Sequence, residues 1–292
     1  DIYISLEPCS TKGKTGACVN EIKKYNFKRI IVGAKDPTQN GITNLQRAGY
    51  EVINLENQEC IALNESFIHK AKFKKPFIRA KVAMSSDHKS VFTSKQRKWI
   101  TGIPARNDVQ KLRAEADIIL TGSGTINKDS PSMNVRAKKI IVNKNFVQPA
   151  RYVFSSDLKL DWTAPFFKLP GHKVVVTSKK NLPRLPRGIN DISLMSLKKS
   201  NDSLSSKDFI KKISKLNINN ILIEAGPKLL GSFGDCNLID EYIFYISQEK
   251  LGDKALYFYG GNKELNFFDS KLFDIVEEKF IGKDKKIILR KK

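Results

Sequence analysis

Hydrophobic residues in this chain fall into short clusters separated by polar turns, and the clusters alternate between strand-like and helix-like spacing. Ile2–Leu6 alternates as a strand, Ala17–Tyr25 follows as a helix, and Arg29–Gly33 is an apolar run of the kind that a buried strand shows. Ile42–Ala48 then reads as a short helix and Tyr50–Asn54 as a further strand. A βαβαβ series of this kind predicts an α/β sheet. From Glu59 to Lys72 the spacing predicts one amphipathic helix with Ile61, Phe67, Ile68 and Ala71 on its apolar side. Lys74-Lys75-Pro76 breaks that pattern. The predicted boundary separates residues 1–73 from residues 76–292.

A second α/β series begins at Phe77. Strands are predicted at Phe77–Ala83, Ile118–Thr121, Arg151–Phe154, Lys173–Thr177, Asn220–Glu224 and Glu241–Ser247. Pro104–Ala116 is the clearest helix, opening on a proline suited to a first helical turn, and Ser206–Leu216 is another. The stretch from Asn181 to Ser206, rich in Pro, Asn and Ser, reads as a surface excursion. Ile275–Phe280 and Lys286–Leu289 look like a closing antiparallel pair, which would make the central sheet mixed. No internal repeat is present.

Composition narrows the function classes. A hydrophobic content of 40% over 292 residues is that of a globular protein, and two domains of this size can each bury a core. No apolar run approaches the roughly 20 residues of a membrane-spanning helix, so no membrane association is expected. The net charge of +22 invites comparison with nucleic-acid binders, but the basic residues are dispersed, the densest group being Lys283–Lys292. Nucleic acid is therefore not an expected partner, whereas phosphorylated small molecules need only a few such charges. Four cysteines at irregular spacing do not resemble a disulfide framework, and a reducing cytoplasm is expected.

Candidate chemistry starts at Pro8-Cys9-Ser10-Thr11-Lys12-Gly13-Lys14-Thr15-Gly16-Ala17-Cys18, where a strand leads into a Pro-Cys pair, a glycine-rich turn and a second cysteine. Zinc deaminases supply two thiolate ligands in this way, together with a His and a general-acid/base Glu, usually as His-x-Glu. His69, His88 and His172 all lack a carboxylate two residues on, so half of a zinc site is present. The chain also opens on Asp1 without an initiator Met, and truncation at the N-terminus is expected. Two buried free cysteines would be the plain alternative.

Two further segments suit an anion. Thr121-Gly122-Ser123-Gly124-Thr125 and Glu224-Ala225-Gly226-Pro227-Lys228-Leu229-Leu230-Gly231-Ser232 each follow an apolar strand and open a helix. Glycines let backbone approach a phosphate, and amides at a helix start point toward it. Two such turns at strand ends in one sheet define a nucleotide-binding crevice.

In order and spacing the motifs are specific. The N-terminal part carries Leu6-Glu7-Pro8-Cys9-Ser10, Cys18, Ile30-Ile31-Val32-Gly33-Ala34 and Asp36-Pro37. The remainder carries Lys81 to Asp87, Trp99-Ile100-Thr101, Ala105-Arg106-Asn107-Asp108, Leu112-Arg113-Ala114, Ile119 to Thr125, Asp129-Ser130-Pro131, Val135-Arg136, Glu224-Ala225-Gly226-Pro227 and Leu251-Gly252. Together they resemble the RibD family of bifunctional riboflavin-biosynthesis proteins, a pyrimidine deaminase fused to a pyrimidine reductase. The resemblance implies part of a cytidine-deaminase-like domain followed by a dihydrofolate-reductase-like α/β domain with a mixed central sheet. It implies NADPH as cofactor, held by Ala83, Trp99, Thr125, Asp129 and Ser156 and by Gly226, Pro227, Lys228, Leu229, Leu230, Gly231 and Ser232. It implies a phosphorylated ribosylaminopyrimidine substrate held by Arg97, Arg113, Met133, Arg136 and Glu224. The reaction implied is hydride transfer to C1′ of the sugar, with Asp129, Glu224 or solvent as the proton source. Zinc on Cys9 and Cys18 is implied for the full-length protein only. A homo-oligomer, dimer or tetramer, is implied as well.

Departures from the family pattern bear on these expectations. Gly16-Ala17 replace two prolines, and Thr11 replaces a histidine. The turn Ser85-Ser86-Asp87-His88 lacks a glycine, and Arg97 stands where a serine is usual. They leave open a second reading, a nucleotide-binding or assembly module of the same fold without catalysis. A nucleic-acid base deaminase is a poorer match, because such enzymes space their cysteines two apart and leave the second α/β series without a role.

Overall fold

β1 (Ile2–Leu6), α1 (Cys18–Ile22), β2 (Arg29–Ala34), α2 (Gly41–Arg47) and β3 (Glu51–Asn54) build a parallel sheet in the order β1-β2-β3. The computed structural model describes residues 1–91, 99–141, 145–181, 183, 185, 187–200, 203–262, 265–267 and 269–292. It divides into two units, Asp1–Pro76 and Phe77–Lys292. In the first, Ile30 and Val32 of the central strand are fully buried against Val19 and Ile22 of α1 and Leu45 of α2. The helix predicted over 59–72 is two helices, α3 (Gln58–Leu63) and α4 (Glu65–Phe73). Asn64 separates them: its side-chain amide donates to the Cys60 carbonyl at 2.8 Å, a local bond that competes with the helical ladder.

The second unit continues with β4 (Phe77–Met84), β5 (Lys89–Val91), α5 (Ile103–Glu115), β6 (Ile118–Gly122), α6 (Ser123–Asp129), β7 (Ala150–Phe154), α7 (Pro165–Lys168) and β8 (Lys173–Thr177). Then come β9 (Ile192–Ser196), β10 (Lys199–Ser200), β11 (Ser203–Leu204), α8 (Ser206–Ile213), β12 (Asn220–Ile223) and α9 (Pro227–Asp235). The chain closes with β13 (Glu241–Ile246), β14 (Leu256–Tyr257), β15 (Phe273–Ile281) and β16 (Asp284–Lys291). Nine of these strands form one sheet, β15-β16-β13-β4-β12-β6-β7-β8-β9. Pairing is parallel from β13 to β9, whereas β16 runs antiparallel to β13 and β15. The sheet is therefore mixed.

Alternation along the strands sorts side chains onto two faces. Ile78, Ala80, Ile221 and Ile223 pack with Phe209 and Ile213 of α8 and Phe233 of α9. Ile119, Val153, Val175 and Leu222 point the other way, onto Val109 and Leu112 of α5, Ile126 of α6 and Phe166 and Phe167 of α7. The region read as a surface excursion differs from expectation: β9 lies inside it and pairs in parallel with β8 as the edge of the sheet. Its Ile-Ser-Leu-Met-Ser sequence alternates only briefly, and an edge strand needs no long apolar run.

The turn without its glycine still folds. His88 takes φ +60, and its ring stands edge-on to Tyr257 and Phe258. Beside it the Asp87 carboxylate accepts from the Ser85 hydroxyl, the Leu251 amide (3.0 Å) and the Gly252 amide (2.8 Å). These bonds, led by that of Ser85, hold Asp87 down at about 2 and tie the end of β4 to the Leu251-Gly252 segment. Among the described residues no helix is long and apolar enough to cross a membrane.

Gly231 marks the closest backbone approach in this unit. A Cβ there would sit 2.2 Å from the Gly261 amide nitrogen, so α9 lies directly on the Gly260-Gly261 backbone. Gly231→Ala should therefore cost about 2 kcal/mol by overpacking. Thermal melts should show a Tm lower by roughly 5 °C. Gly124→Ala, whose Cβ meets no atom within 4 Å, should leave the Tm unchanged or slightly raised.

Candidate active-site crevice

Strand order creates the crevice. From β4 the chain moves outward through β6, β7, β8 and β9, then returns to place β12 between β4 and β6 and β13 on the far side of β4. Such a reversal leaves a cleft at the carboxyl ends of the strands, where ligands of α/β sheets bind. Gly122 ends β6 and precedes α6, and Gly226 precedes α9; neither helix start receives a side-chain cap, so its first amides remain available. The two turns adjoin. A Cβ on Gly226 would lie 3.8 Å from Thr125 Oγ1, and one on Gly122 would lie 3.7 Å from Leu229 Cδ2.

A buried ion cluster lies beyond β12. Glu224 extends that strand by one residue, its amide donating to the Leu120 carbonyl at 2.9 Å. Alternation turns its side chain to the α5 face, the side that Leu222 also faces. Arg113 of α5 donates to it through two bonds, Nε to Oε1 at 2.6 Å and Nη2 to Oε2 at 2.9 Å. Lys81 of β4 places Nζ 3.2 Å from Oε2. The ladder explains that neighbour, because Ile223 is in register with Ala80. Burial opposes the charge on Glu224, yet Arg113 and then Lys81 outweigh it and hold the carboxyl at about 2. Burial likewise works against the Arg113 charge, and Glu224 more than restores it.

Further cations crowd the same place. Arg113 Nη1 donates to the Asn134 carbonyl at 3.2 Å, and its Nη2 lies 3.9 Å from Met133 Sδ. Arg136 donates from Nη1 to Ser132 Oγ at 3.1 Å, and its backbone amide donates to Gln110 Oε1 at 2.8 Å. Partial burial lowers the Arg136 pKa, and the charges of Arg113 and Arg106 add to that. Arg106 donates to the Thr101 carbonyl at 2.6 Å with its guanidinium 4.8 Å from the centre of the Trp99 ring. Residues 106, 110 and 113 recur at i, i+4 and i+7, one face of α5. Among the described residues, Lys81, Arg106, Arg113 and Arg136 gather about the Glu224 carboxylate and leave positive charge to spare for an anionic ligand.

The structure thus brings Arg113, Met133, Arg136 and Glu224 together, and sets Thr125 against Gly226 and Leu229. Ala83 lies two residues beyond Lys81 on the same face of β4. Trp99 is half exposed rather than packed in a core. Asp129 ends α6 at the surface, and the Ser156 carbonyl accepts from Thr177 Oγ1 at 3.2 Å and Ser178 Oγ at 2.8 Å. In the second glycine segment Lys228 is exposed, Pro227 leads into α9, and Leu230 is buried in the core. The Ser232 hydroxyl is taken up by Ser206 (2.9 Å) and the Leu229 carbonyl (2.9 Å). Arg97 lies outside the described residues. Lys81, Arg106 and Gln110 were given no role from sequence. A lysine inside an apolar strand, and polar residues one and two turns before Arg113, were the available signals.

In the first unit the Cys18 amide donates to Cys9 Sγ at 3.2 Å, and this bond leads in lowering the Cys9 pKa. Among the described residues no three His, Cys, Asp or Glu side chains are grouped to hold a metal ion. A catalytic zinc takes three protein ligands, so the two thiols do not complete such a site.

A sheet with a switch point, two adjoining uncapped helix starts and a cation cluster around Glu224 at the end of β12 is the build of an α/β enzyme that binds a nucleotide beside an anionic substrate. The RibD C-terminal domain model matches residues 76–278. The riboflavin biosynthesis protein RibD of Buchnera aphidicola is 35% identical over 310 residues, covering 99% of this chain and 81% of that protein. Acinetobacter baumannii RibD (form 1) superposes with a TM-score of 0.83 at 28% identity, covering 98% of this chain and 79% of that one. The diaminohydroxyphosphoribosylaminopyrimidine deaminase/5-amino-6-(5-phosphoribosylamino)uracil reductase of Thermotoga maritima has the same fold, with a TM-score of 0.83 at 24% identity over 99% of this chain and 79% of that one. The chain belongs to the RibD family of riboflavin biosynthesis proteins, and its second unit is the reductase domain of that family.

Glu224→Gln removes the charge that Arg113 and Lys81 share. Leaving two cations without their buried partner should cost roughly 3–5 kcal/mol, measurable by urea unfolding at neutral pH. The Glu224 pKa is depressed from its ordinary 4.5 to about 2, so its stabilisation is complete above about pH 4.5 and is lost as the pH falls toward 2. That acid-dependent loss should be absent from the Gln variant.

Proposed function

We propose that the second unit reduces 5-amino-6-(5-phosphoribosylamino)uracil with NADPH, opening the ribosyl group to a ribityl chain. One observation carries this reading: a buried Glu224–Arg113–Lys81 cluster adjoins two glycine turns in a chain of the RibD family. The turns fit a dinucleotide. Their amides are not capped by side chains, and the buried Thr121 Oγ1 beside them has no hydrogen-bond partner of its own. In this reading Thr125, Gly226, Lys228 and Leu229 border the diphosphate, with Ala83, Trp99, Asp129 and Ser156 along the rest of the cofactor. NADPH, when bound, supplies the hydride that reduces C1′ of the sugar.

The chain itself aligns the substrate and handles one proton. Arg136 and Arg106 are the cations with charge to spare, and they hold the 5′-phosphate. Arg113 is engaged by Glu224, so it acts mainly by fixing that carboxylate, while Met133 packs beneath. As the ring opens, the ring oxygen becomes the 4′-hydroxyl and one proton is taken up. Glu224, held at about 2, is ionised at neutral pH and accepts hydrogen bonds rather than giving a proton. The Lys81 ammonium beside it is the donor closest to hand, and Asp129 or solvent is the alternative source. Residues 1–73 are read as the cysteine-bearing part of a deaminase domain, in which Cys9 and Cys18 would supply two zinc ligands in the full-length protein only.

The test is NADPH oxidation by the purified chain with and without 5-amino-6-(5-phosphoribosylamino)uracil. Oxidation that requires the pyrimidine is expected; its absence under all conditions would favour a binding module without catalysis. Arg136→Ala should raise the KM for the pyrimidine by about 10–100-fold with a smaller effect on kcat, as loss of a charge-assisted phosphate contact predicts.

A further inference from the structure

We infer that the tip of the C-terminal hairpin, β15–β16, is a positioning element for the substrate-binding face of α5, with Asp284 as its principal residue. This rests on the reading just given, in which α5 carries Arg106, Gln110 and Arg113. The start of α5 has no side-chain cap from its own segment. Instead the Gly102 amide donates to Asp284 Oδ2 at 2.7 Å, across 182 residues of sequence. Asp284 is only 5% exposed. A buried carboxylate at the positive end of a helix satisfies an open amide and complements the helix dipole.

Two more contacts complete the attachment. Gly282 turns the hairpin at φ +65, and a Cβ there would come within 2.9 Å of Pro104 Cγ, so the tip sits against the first turn of the helix. One turn further on, Lys286 Nζ lies 2.9 Å from Asp108 Oδ2, which also accepts from the Tyr245 hydroxyl at 2.8 Å. Lys286 is itself steadied by Glu277 of β15 at 3.3 Å. Contacts at 102, 104 and 108 fix both the rotation and the axial position of α5. The row 106, 110 and 113 is then aimed at Trp99, the Arg136 backbone and Glu224. A slip of about 1 Å in such a row is enough to cost a large factor in turnover.

Asp284→Ala and Asp284→Asn in the full chain separate positioning from plain stability, because Asn keeps an oxygen acceptor for the Gly102 amide. Asp284→Ala should raise the KM for 5-amino-6-(5-phosphoribosylamino)uracil about tenfold and leave the KM for NADPH within about twofold, while Asp284→Asn stays close to the parent. Hydrogen exchange at the first-turn amides of α5 should quicken in the Ala variant and not in the Asn variant. Should Asp284→Ala fail to fold, Lys286→Gln serves instead, with the same expected split between the two KM values. The inference is overturned if the Tm falls without a change in the pyrimidine KM, if both KM values rise alike, or if Asn behaves as Ala. A parent chain that oxidises no NADPH defeats the functional reading alone. Exchange at α5 then decides the hairpin's role, with unchanged rates counting against it.

Discussion

Everything in the reductase unit is arranged around a carboxylate that has almost no water to solvate it. An isolated buried charge would be expelled or neutralised. Glu224 keeps its charge because a guanidinium from α5 and an ammonium from β4 converge on it. One contact thereby joins a central strand, its neighbour and the helix that covers them. Clusters of this kind add little net stability over an apolar core of the same volume, but they are costly to break. Their value here lies in direction, since two cations with long flexible side chains are held at defined places beside the crevice.

Charge surplus follows from the same arrangement. Glu224 engages Arg113 and Lys81, whereas the charge on Arg136 is disfavoured by its partial burial and by the nearby charges of Arg113 and Arg106. Like charges held together in this way favour an anionic ligand, because binding relieves the repulsion as well as making hydrogen bonds. The two adjoining helix starts bring the same preference for an anion through backbone rather than side chains. The crevice is electropositive by two independent routes.

Much of this was legible in the sequence. The runs that became β4, β6, β7, β8, β12 and β13 read clearly because strands covered on both faces are nearly continuous apolar stretches, interrupted in β4 by Arg79 and Lys81. Glu224, Arg113 and Arg136 were singled out through the family motifs around them, and the fold brings the three together. Lys81, by contrast, earns its place only through the register of β4 with β12, a pairing across more than a hundred residues. Arg106 and Gln110 look like ordinary solvated positions until α5 is docked. The division at Asn64 and the edge strand β9 were missed for local reasons: one side-chain amide bonding to backbone, and a strand too short to show periodicity. The roles of Lys81, Arg106 and Gln110 escaped because they depend on partners distant in the chain.

The insertion of β12 between β4 and β6 also bears on how the molecule is made. On the ribosome, β4 and β6 to β9 emerge before the strand that belongs between β4 and β6. Until residue 223 has left the exit tunnel, β4 is a lone strand and β6-β7-β8-β9 a four-stranded sheet with β6 as an open edge. Open edges of that kind attract other chains. Biogenesis of this protein therefore passes through a sticky stage that ends only when a late strand fills a slot prepared early, and a chaperone would find its substrate there.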